Sequence, residues 1–565
     1  MSDTVLTGIG VCPGVVAGPL LRIAAAPALP APTTVTDVEA EAARASAALA
    51  EVVAELERRA DRAADDTVAE VLRAEALMAG DEELRDGVRE LIEAGHDAPH
   101  AIDGAFATFR EIFAAAGGYL AERAADLDDL RDRAVAVLLG LPMPGVPSPG
   151  HRYVLAARDL APADTADLDP DQVIALVTEI GGPTSHTAIL ARALGLPAVV
   201  ACAGVLDVPD GARVLVDGAT GRVATGVDDV AVKAAIEASA RLTAAASGLT
   251  GPGQTSDGYA VKLLANVGSA KDVPAADEAH AEGIGLFRTE LLFLDRATEP
   301  GHGEQVAAYR DVFRAMAGRR VVIRTLDAGA DKPLPFLNQE GEPNPALGVR
   351  GLRVARQRPE VLTTQLAAIA EARAETGADV WVMAPMVSTV AEASAFAAAV
   401  HEAGLPRAGV MIEVPAAALR AADLLRVVDF LSIGTNDLSQ YTFAADRMCG
   451  PLADLLDPWQ PALLQLIGLC GEAGRAAGRP VGVCGEAAAD PLLAPVLVGL
   501  GVTSLSMSPR ALPAVRAALS TRTAEDCRRL AALAVAAPGP AEAREAAGWV
   551  ERASVEARWI RIPGR

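Results

Sequence analysis

Eight short apolar runs, separated by stretches of helical pattern, occupy the C-terminal half of the chain: Val261–Ala265, Gly283–Phe287, Val321–Ile323, Val380–Ala384, Gly409–Ile412, Phe430–Ile433, Val481–Val483 and Ser504–Ser506. Eight β–α alternations over roughly 300 residues predict a closed (β/α)8 barrel of the TIM type. Active sites on that fold gather at the C-terminal strand ends. Polar residues stand just beyond these runs: Asn266, Arg288, Arg324, Glu413, Asn436, Asp437 and Cys484. Barrel packing does not require polar groups at so many strand ends, so these residues are candidates for function.

Their chemistry is coherent. Glu413 and Asp437, on neighbouring strand ends, suit a hard divalent cation such as Mg²⁺. The less favoured alternative is that either is half of a structural ion pair with a nearby arginine. Arg288, Arg324 and Arg447 offer bidentate clamps for phosphate or carboxylate. Phosphoryl transfer needs mainly positioning and charge stabilisation, which such a set supplies. Cys484 could give a proton to a carbanion-like carbon. A single cysteine flanked by apolar residues also suits plain core packing.

The N-terminal half is organised differently. Residues 4–22 carry two apolar runs around Cys12-Pro13-Gly14, read as a pair of strands that joins a sheet formed later. Residues 36–141 are Ala-rich, charged and helical in period, opening on a capping-box pattern at Thr36–Glu39, with Leu49, Val52, Val53 and Leu56 on one face. Helices are expected near 65–79, 82–94, 98–114 and 118–140. A breaker-rich linker at 142–150 precedes α/β alternation at Tyr153–Ala157, Val173–Thr178, Ala198–Cys202 and Arg213–Asp217. Between the second and third of these strands lies Gly181-Gly182-Pro183-Thr184-Ser185-His186-Thr187. His186 is thus expected where a glycine turn meets a helix closed by Gly195. Free N–H groups and the helix dipole favour an anion there, so a phosphoryl group on the imidazole would be stabilised. Local features alone fit a helix-capping surface histidine as well. Residues 226–247 read as one connecting helix, and the Gly/Ser/Thr-rich stretch 248–258 as the main domain boundary.

Composition excludes several classes. Fifty Lys and Arg against seventy-four Asp and Glu give a net charge of −24, which disfavours nucleic acid and anionic membrane and suits a basic protein partner. No apolar run approaches the ~20 residues of a membrane span. The start of the chain carries no export signal. Six scattered cysteines (12, 202, 449, 470, 484 and 527) make neither a zinc pattern nor a disulfide framework, and the expected compartment is the cytoplasm.

The string from Gly181 to Ala198 resembles the phosphohistidine segment of the phosphoenolpyruvate-utilising enzymes, and the rest of the chain resembles the enzyme I branch of that family. The resemblance is carried by Gly283–Glu290, Arg324–Asp327, Asp331-Lys332, Asn344–Arg350, Met411–Pro415, Ser432–Tyr441, Asp446-Arg447 and Val483–Glu486. It implies the following expectations. His186 is phosphorylated by phosphoenolpyruvate, and Thr165 hydrogen-bonds it. Arg288, Arg324, Asn436, Asp437 and Arg447 bind substrate, and Glu413 and Asp437 bind Mg²⁺. Cys484 protonates the enolate to give pyruvate, with Lys332 and Arg350 in support. The helical part, including Asp81–Leu84 and Tyr119–Leu130, docks the small phosphocarrier protein HPr; Glu75 stands where the family often has His or Gln. A homodimer through the C-terminal barrel is also implied. The corresponding domains are a swivelling α/β phosphohistidine domain (1–25 and 145–225), a helical carrier-binding subdomain (34–142), a linker helix (226–250) and the phosphoenolpyruvate-binding barrel (251–565). A dikinase or synthase would need a nucleotide-binding domain, and no P-loop precedes the histidine segment. A non-catalytic phosphoenolpyruvate sensor would tolerate loss of His186, Glu413, Asp437 or Cys484, and all four are present.

Overall fold

The computed structural model describes residues 4–547 except 24–26, 63–65, 117–123, 148, 161–167, 170, 183–185, 238–247, 294–295, 297, 330–333, 335, 338–341, 343 and 448–449; for His186 it describes the backbone alone. The described residues form two compact units, one ending at Val232 and one beginning at Lys233.

The first unit holds an eight-stranded sheet. Its strands are β1 (Thr4–Thr7), β2 (Ile9–Cys12), β3 (Val15–Arg22), β4 (Tyr153–Ala157), β5 (Val173–Thr178), β6 (Ala198–Val200), β7 (Arg213–Asp217) and β8 (Arg222–Thr225). They lie in the order β1-β8-β7-β3-β4-β5-β6-β2. The run from β3 to β6 is parallel and the rest antiparallel. Central parallel strands are covered on both faces, so they read as unbroken apolar runs. Alternate residues feed two cores. Tyr153, Leu155, Val173 and Leu176 pack with Ala188 and Ala191 of the helix His186–Leu194, while Val154, Ala156, Ala175 and Val177 pack with Val214, Val216 and Val223. The N-terminal residues do join this later-formed sheet, but as three strands rather than two. The break falls at Gly8, where a Cβ would stand 2.5 Å from the Val200 carbonyl oxygen.

Among the described residues five helices, Val38–Arg62, Asp66–Ala79, Glu82–Glu93, Ala98–Ala116 and Ala124–Leu139, are inserted between β3 and β4. Leu49, Val52 and Leu56 share a face and meet Leu84, Val88, Ile92, Ile102, Phe106 and Leu130 in one core. The cap of the first helix differs from the sequence pattern by one residue. Asp37, not Thr36, accepts the Ala40 N–H at 3.0 Å, because a carboxylate one residue closer to the helix reaches the orphan donor. Asp81 caps the third helix in the same way, accepting from Leu84 at 3.1 Å. Residues 229–237 are helical.

The second unit is a closed barrel of eight parallel strands: β9 (Lys262–Val267), β10 (Gly283–Arg288), β11 (Arg320–Arg324), β12 (Asp379–Ala384), β13 (Ala408–Ile412), β14 (Phe430–Ile433), β15 (Val481–Val483) and β16 (Ser504–Met507), with β16 pairing back onto β9. Each falls within two residues of an apolar run expected from the sequence. Side chains alternate between two layers. Val321, Ile323, Val380, Val382, Val410, Ile412, Leu431 and Ile433 face the surrounding helices. Leu286, Val322, Trp381, Met383, Met411, Phe430 and Cys484 fill the barrel interior. The N-terminal end is sealed by Trp381, whose ring lies 5.0 Å from Phe430 and 3.6 Å from the Arg320 guanidinium carbon. The C-terminal end carries the polar residues.

Trp381→Ala should remove this seal and leave a cavity in the interior layer, destabilising the barrel by about 3–5 kcal/mol. Urea unfolding followed by far-UV circular dichroism would show an earlier transition; an unchanged midpoint would mean that the interior layer is not limiting.

Candidate active site

The site begins with period two along β11. The same alternation that turns Val322 inward turns Arg324 inward one step higher, at the mouth. Its side chain is only 7% exposed. Nη1 lies 3.1 Å from Asp327 Oδ2 and 3.7 Å from Glu413 Oε1, and Nη2 pairs with Glu290. Asp327 is fully buried and reaches Arg350 Nη2 at 3.4 Å. Arg350 Nη1 donates to Asp437 Oδ1 and to the Tyr441 hydroxyl, both at 3.2 Å. Tyr441 in turn donates to the Ala346 carbonyl. Asp437 Oδ2 lies 3.7 Å from Arg447 Nη1. The result is a chain of alternating sign, Glu290–Arg324–Asp327–Arg350–Asp437–Arg447, with Glu413 set against its first guanidinium.

Buried ions are tolerated only when paired. Burial pulls the Arg324 guanidinium down, but the charges of Glu290, Asp327 and Glu413 outweigh it and hold the group protonated. Glu413 goes the other way. Burial, then the charges of Asp437 and Asp327, push its carboxyl up to about 7, against the opposing pull of Arg324 and the Met386 N–H. That N–H donates to Glu413 Oε2 at 2.8 Å. Met386 pays for the contact with a left-handed backbone, φ 59°.

A carboxyl group raised by neighbouring carboxylates is what a hard cation relieves, and Glu413 and Asp437 supply oxygen donors of the right kind for Mg²⁺. Among the described residues no three His, Cys, Asp or Glu side chains converge as a metal cage. Two carboxylates with further oxygens from water or substrate is a usual Mg²⁺ arrangement.

Two glycines shape the neighbouring loops. A Cβ on Gly434 would stand 2.9 Å from Glu413 Cγ, and one on Gly485 would stand 2.0 Å from Thr435 Oγ1. Without side chains there, the helix Thr435–Phe443 starts hard against the loop after β15. Asn436 Oδ1 accepts the Glu486 N–H at 3.4 Å across this contact. Cys484 is buried at the end of β15 and receives the Ser432 hydroxyl at 3.2 Å. Burial pushes its thiol up to about 11, while the Ser432 hydrogen bond and Arg324 pull it back. Asn266 Nδ2 donates to the Cys484 carbonyl at 3.2 Å. Arg288, exposed at the end of β10, adds its charge to the Cys484 environment.

The barrel thus gathers Arg288, Arg324, Glu413, Asn436, Asp437, Arg447 and Cys484 at one end, together with Arg350. Glu290, Asp327 and Tyr441, without roles in the sequence reading, are links in the chain; their only signal was a place in the same motifs. Met386 gave no signal at all. A cleft of about 560 Å³ beside the 347–349 loop is separate in character: its Arg353 is spent on the Leu347 and Gly348 carbonyls and Ser388, and its Arg356 on Glu392.

In the first unit, β5 leads through Gly181, φ 105°, to the helix His186–Leu194, closed by Gly195 at φ 70°. Thr187 Oγ1 donates to Asp159 Oδ1 at 3.2 Å. The His186 side chain, Thr165 and Lys332 lie outside the described residues, as do Pro183–Ser185.

Three family matches cover most of the sequence: the PEP-utilising enzyme N-terminal region at 7–123, the mobile domain of the same enzymes at 149–221 and their PEP-binding domain at 244–524. The phosphoenolpyruvate-protein phosphotransferase of Streptomyces coelicolor is 54% identical over 552 residues, covering 96% of this chain and 99% of the relative. The protein of the same name from Haloferax volcanii is 40% identical over 569 residues, with the same coverage. This chain belongs to the phosphoenolpyruvate-protein phosphotransferase family. The closed parallel barrel falls within the match to the PEP-binding domain, and the family's activity class is phosphoenolpyruvate-dependent phosphoryl transfer in the phosphotransferase system. Among the described residues no helix is long and apolar enough to cross a membrane.

The raised Glu413 carboxyl carries a signed pH dependence. Its folded value, about 7, lies above the ordinary 4.5, so the folded protein holds this proton over a range where the unfolded chain has lost it. Its contribution to stability is complete below pH 4.5 and is lost as pH rises towards 7. In chelator, Glu413→Gln should therefore raise the urea midpoint at pH 8 relative to the parent and bring the two together at pH 5. Equal differences at both pH values would contradict the assignment.

Proposed function

We propose that this phosphotransferase takes the phosphoryl group of phosphoenolpyruvate onto His186 and passes it to a histidine of HPr, releasing pyruvate. The observation that carries this reading is the convergence of Arg324, Arg350, Glu413, Asn436, Asp437, Arg447 and Cys484 at the barrel mouth in a chain whose full-length relatives bear that name.

The substrate is a small trianion, and the mouth offers guanidinium groups for it. Arg288 and Arg324 hold the phosphate, while Asn436, Asp437 and Arg447 orient the rest of the molecule. Arg350 and Lys332 act in support. Glu413 and Asp437 would hold Mg²⁺, which when bound offsets charge on the phosphoryl oxygens. His186 attacks phosphorus in line through Nε2, with Thr165 fixing the tautomer by a hydrogen bond to the other nitrogen. The P–O bond breaks with its electron pair on the enolate oxygen. That pair returns to form the carbonyl as C3 takes the Cys484 proton, and pyruvate leaves. A buried thiol raised to about 11 carries its proton at neutral pH, as a donor must. The phosphoryl group on His186 then moves to HPr, docked on the helices between Val38 and Leu139, as the first step of sugar uptake by a cytoplasmic protein. A dimer formed through the barrel completes the proposal.

Intact mass after mixing the protein with phosphoenolpyruvate and Mg²⁺ should show one acid-labile phosphoryl group, absent from His186→Ala, with one equivalent of pyruvate released. Binding without label would favour a sensor over an enzyme.

A further inference from the structure

We infer that Ser432 is the positioning residue for the Cys484 thiol in enolate protonation. The inference rests on the proposed role of Cys484 as proton donor.

Ser432 lies on β14 between Leu431 and Ile433, which face the outer helices. Alternation therefore turns Ser432 inward with Phe430, into an interior otherwise lined at this level by Met411, its register partner on β13, and by Cys484. Both Ser432 and Cys484 are at least nine-tenths buried. A hydroxyl in such a place needs a partner, and it donates to Cys484 Sγ at 3.2 Å. The sulfur also lies 3.6 Å from the Ile433 carbonyl, and the Cys484 N–H donates to the same carbonyl at 3.0 Å.

These contacts define the thiol's geometry. The Ser432 O–H occupies one lone pair of sulfur, so the S–H bond does not point at the Ser432 hydroxyl. The thiol proton is left to the Ile433 carbonyl or the barrel mouth, where the enolate carbon arrives. As the S–H bond breaks, its electron pair stays on sulfur and the proton forms the new C–H bond at C3. The thiolate left behind keeps the Ser432 hydrogen bond, now charge-assisted and stronger. Water returns the proton after pyruvate leaves. Ser432 thus gains interaction energy only as charge develops on sulfur, which is the condition for speeding a step rather than tightening binding. None of the residues proposed to hold phosphoenolpyruvate depends on this hydroxyl for a hydrogen bond given above.

The test is a single turnover of the full chain with phosphoenolpyruvate and Mg²⁺, read in two ways. Neutral intact mass follows phosphoryl arrival on His186, and a keto-specific coupled assay follows pyruvate. Ser432→Ala should leave phosphorylation within about twofold of the parent and slow pyruvate formation roughly tenfold. Ser432→Ala combined with Cys484→Ala should form pyruvate no more slowly than Cys484→Ala alone, since the hydroxyl acts only through the sulfur. Equal slowing of phosphorylation and pyruvate formation by Ser432→Ala would mark a structural role and overturn the inference, as would multiplicative losses in the double variant or parent-like pyruvate formation in the single one. Parent-like pyruvate formation by Cys484→Ala would instead sink the reading of the cysteine as donor, and this inference with it.

Discussion

The barrel mouth depends on one arrangement: carboxylates and guanidinium groups placed alternately in a water-poor rim. Arg324 and Arg350 are both almost wholly buried, and Asp327 between them is completely so. No member of such a chain is stable alone. Removing one partner of a buried pair leaves a charge that costs about 3–5 kcal/mol. The strand ends must therefore present all of these side chains together, and the parallel register does so. Arg324 stands level with Arg288 on one neighbour and Met383 on the other, and Glu413 follows directly on Ile412, itself level with Ile433. What the fold gains is preorganisation. Charged groups held by one another need little rearrangement when a charged reactant comes among them.

The two ends of the barrel divide the work. At the N-terminal end Arg320 is only half-buried, and it lies on the Trp381 ring, a contact that serves packing. At the C-terminal end the arginines face carboxylates. Small residues make the difference in shape. Gly434 and Gly485 let the start of the Thr435–Phe443 helix press against the loop after β15, which brings Asn436, Asp437 and Cys484 around one opening. A methyl group at Gly485 would displace Thr435, and with it the next two residues.

Much of this was legible in the sequence, for a physical reason. Strands of a parallel barrel are buried on both faces and appear as plain apolar runs. A polar residue directly after such a run, as with Arg324, Glu413 or Cys484, has few positions open to it except the barrel mouth. Pairing was not legible. Nothing in the spacing of Arg350 says that it will be a fully buried link between Asp327 and Asp437, because a loop rather than a strand brings it there. Met386 was invisible, since its contribution to Glu413 is a backbone N–H that any residue carries. The break at Gly8 and the cap at Asp37 were missed by one or two residues because both are settled by contacts, with Val200 and with Ala40, and not by composition.

Cys484 shows how burial decides chemistry. A cysteine serves as a nucleophile when positive charge and solvent lower its thiol. Here two arginines act in that direction, Arg324 and Arg288, together with the Ser432 hydroxyl, yet desolvation prevails and the thiol stays well above neutrality. Nearer solvent the same groups would draw the thiol down towards a thiolate, which can attack but has no proton to give. Burial keeps the proton on sulfur, while the surrounding cations and the hydroxyl keep the cost of losing it finite. In the proposed reaction the enolate is a far stronger base than a resting carboxylate or water, so it alone draws the proton off. The inward turn of β14 and β15 that looks like ordinary packing is thereby also what lets a buried thiol discriminate between reactants.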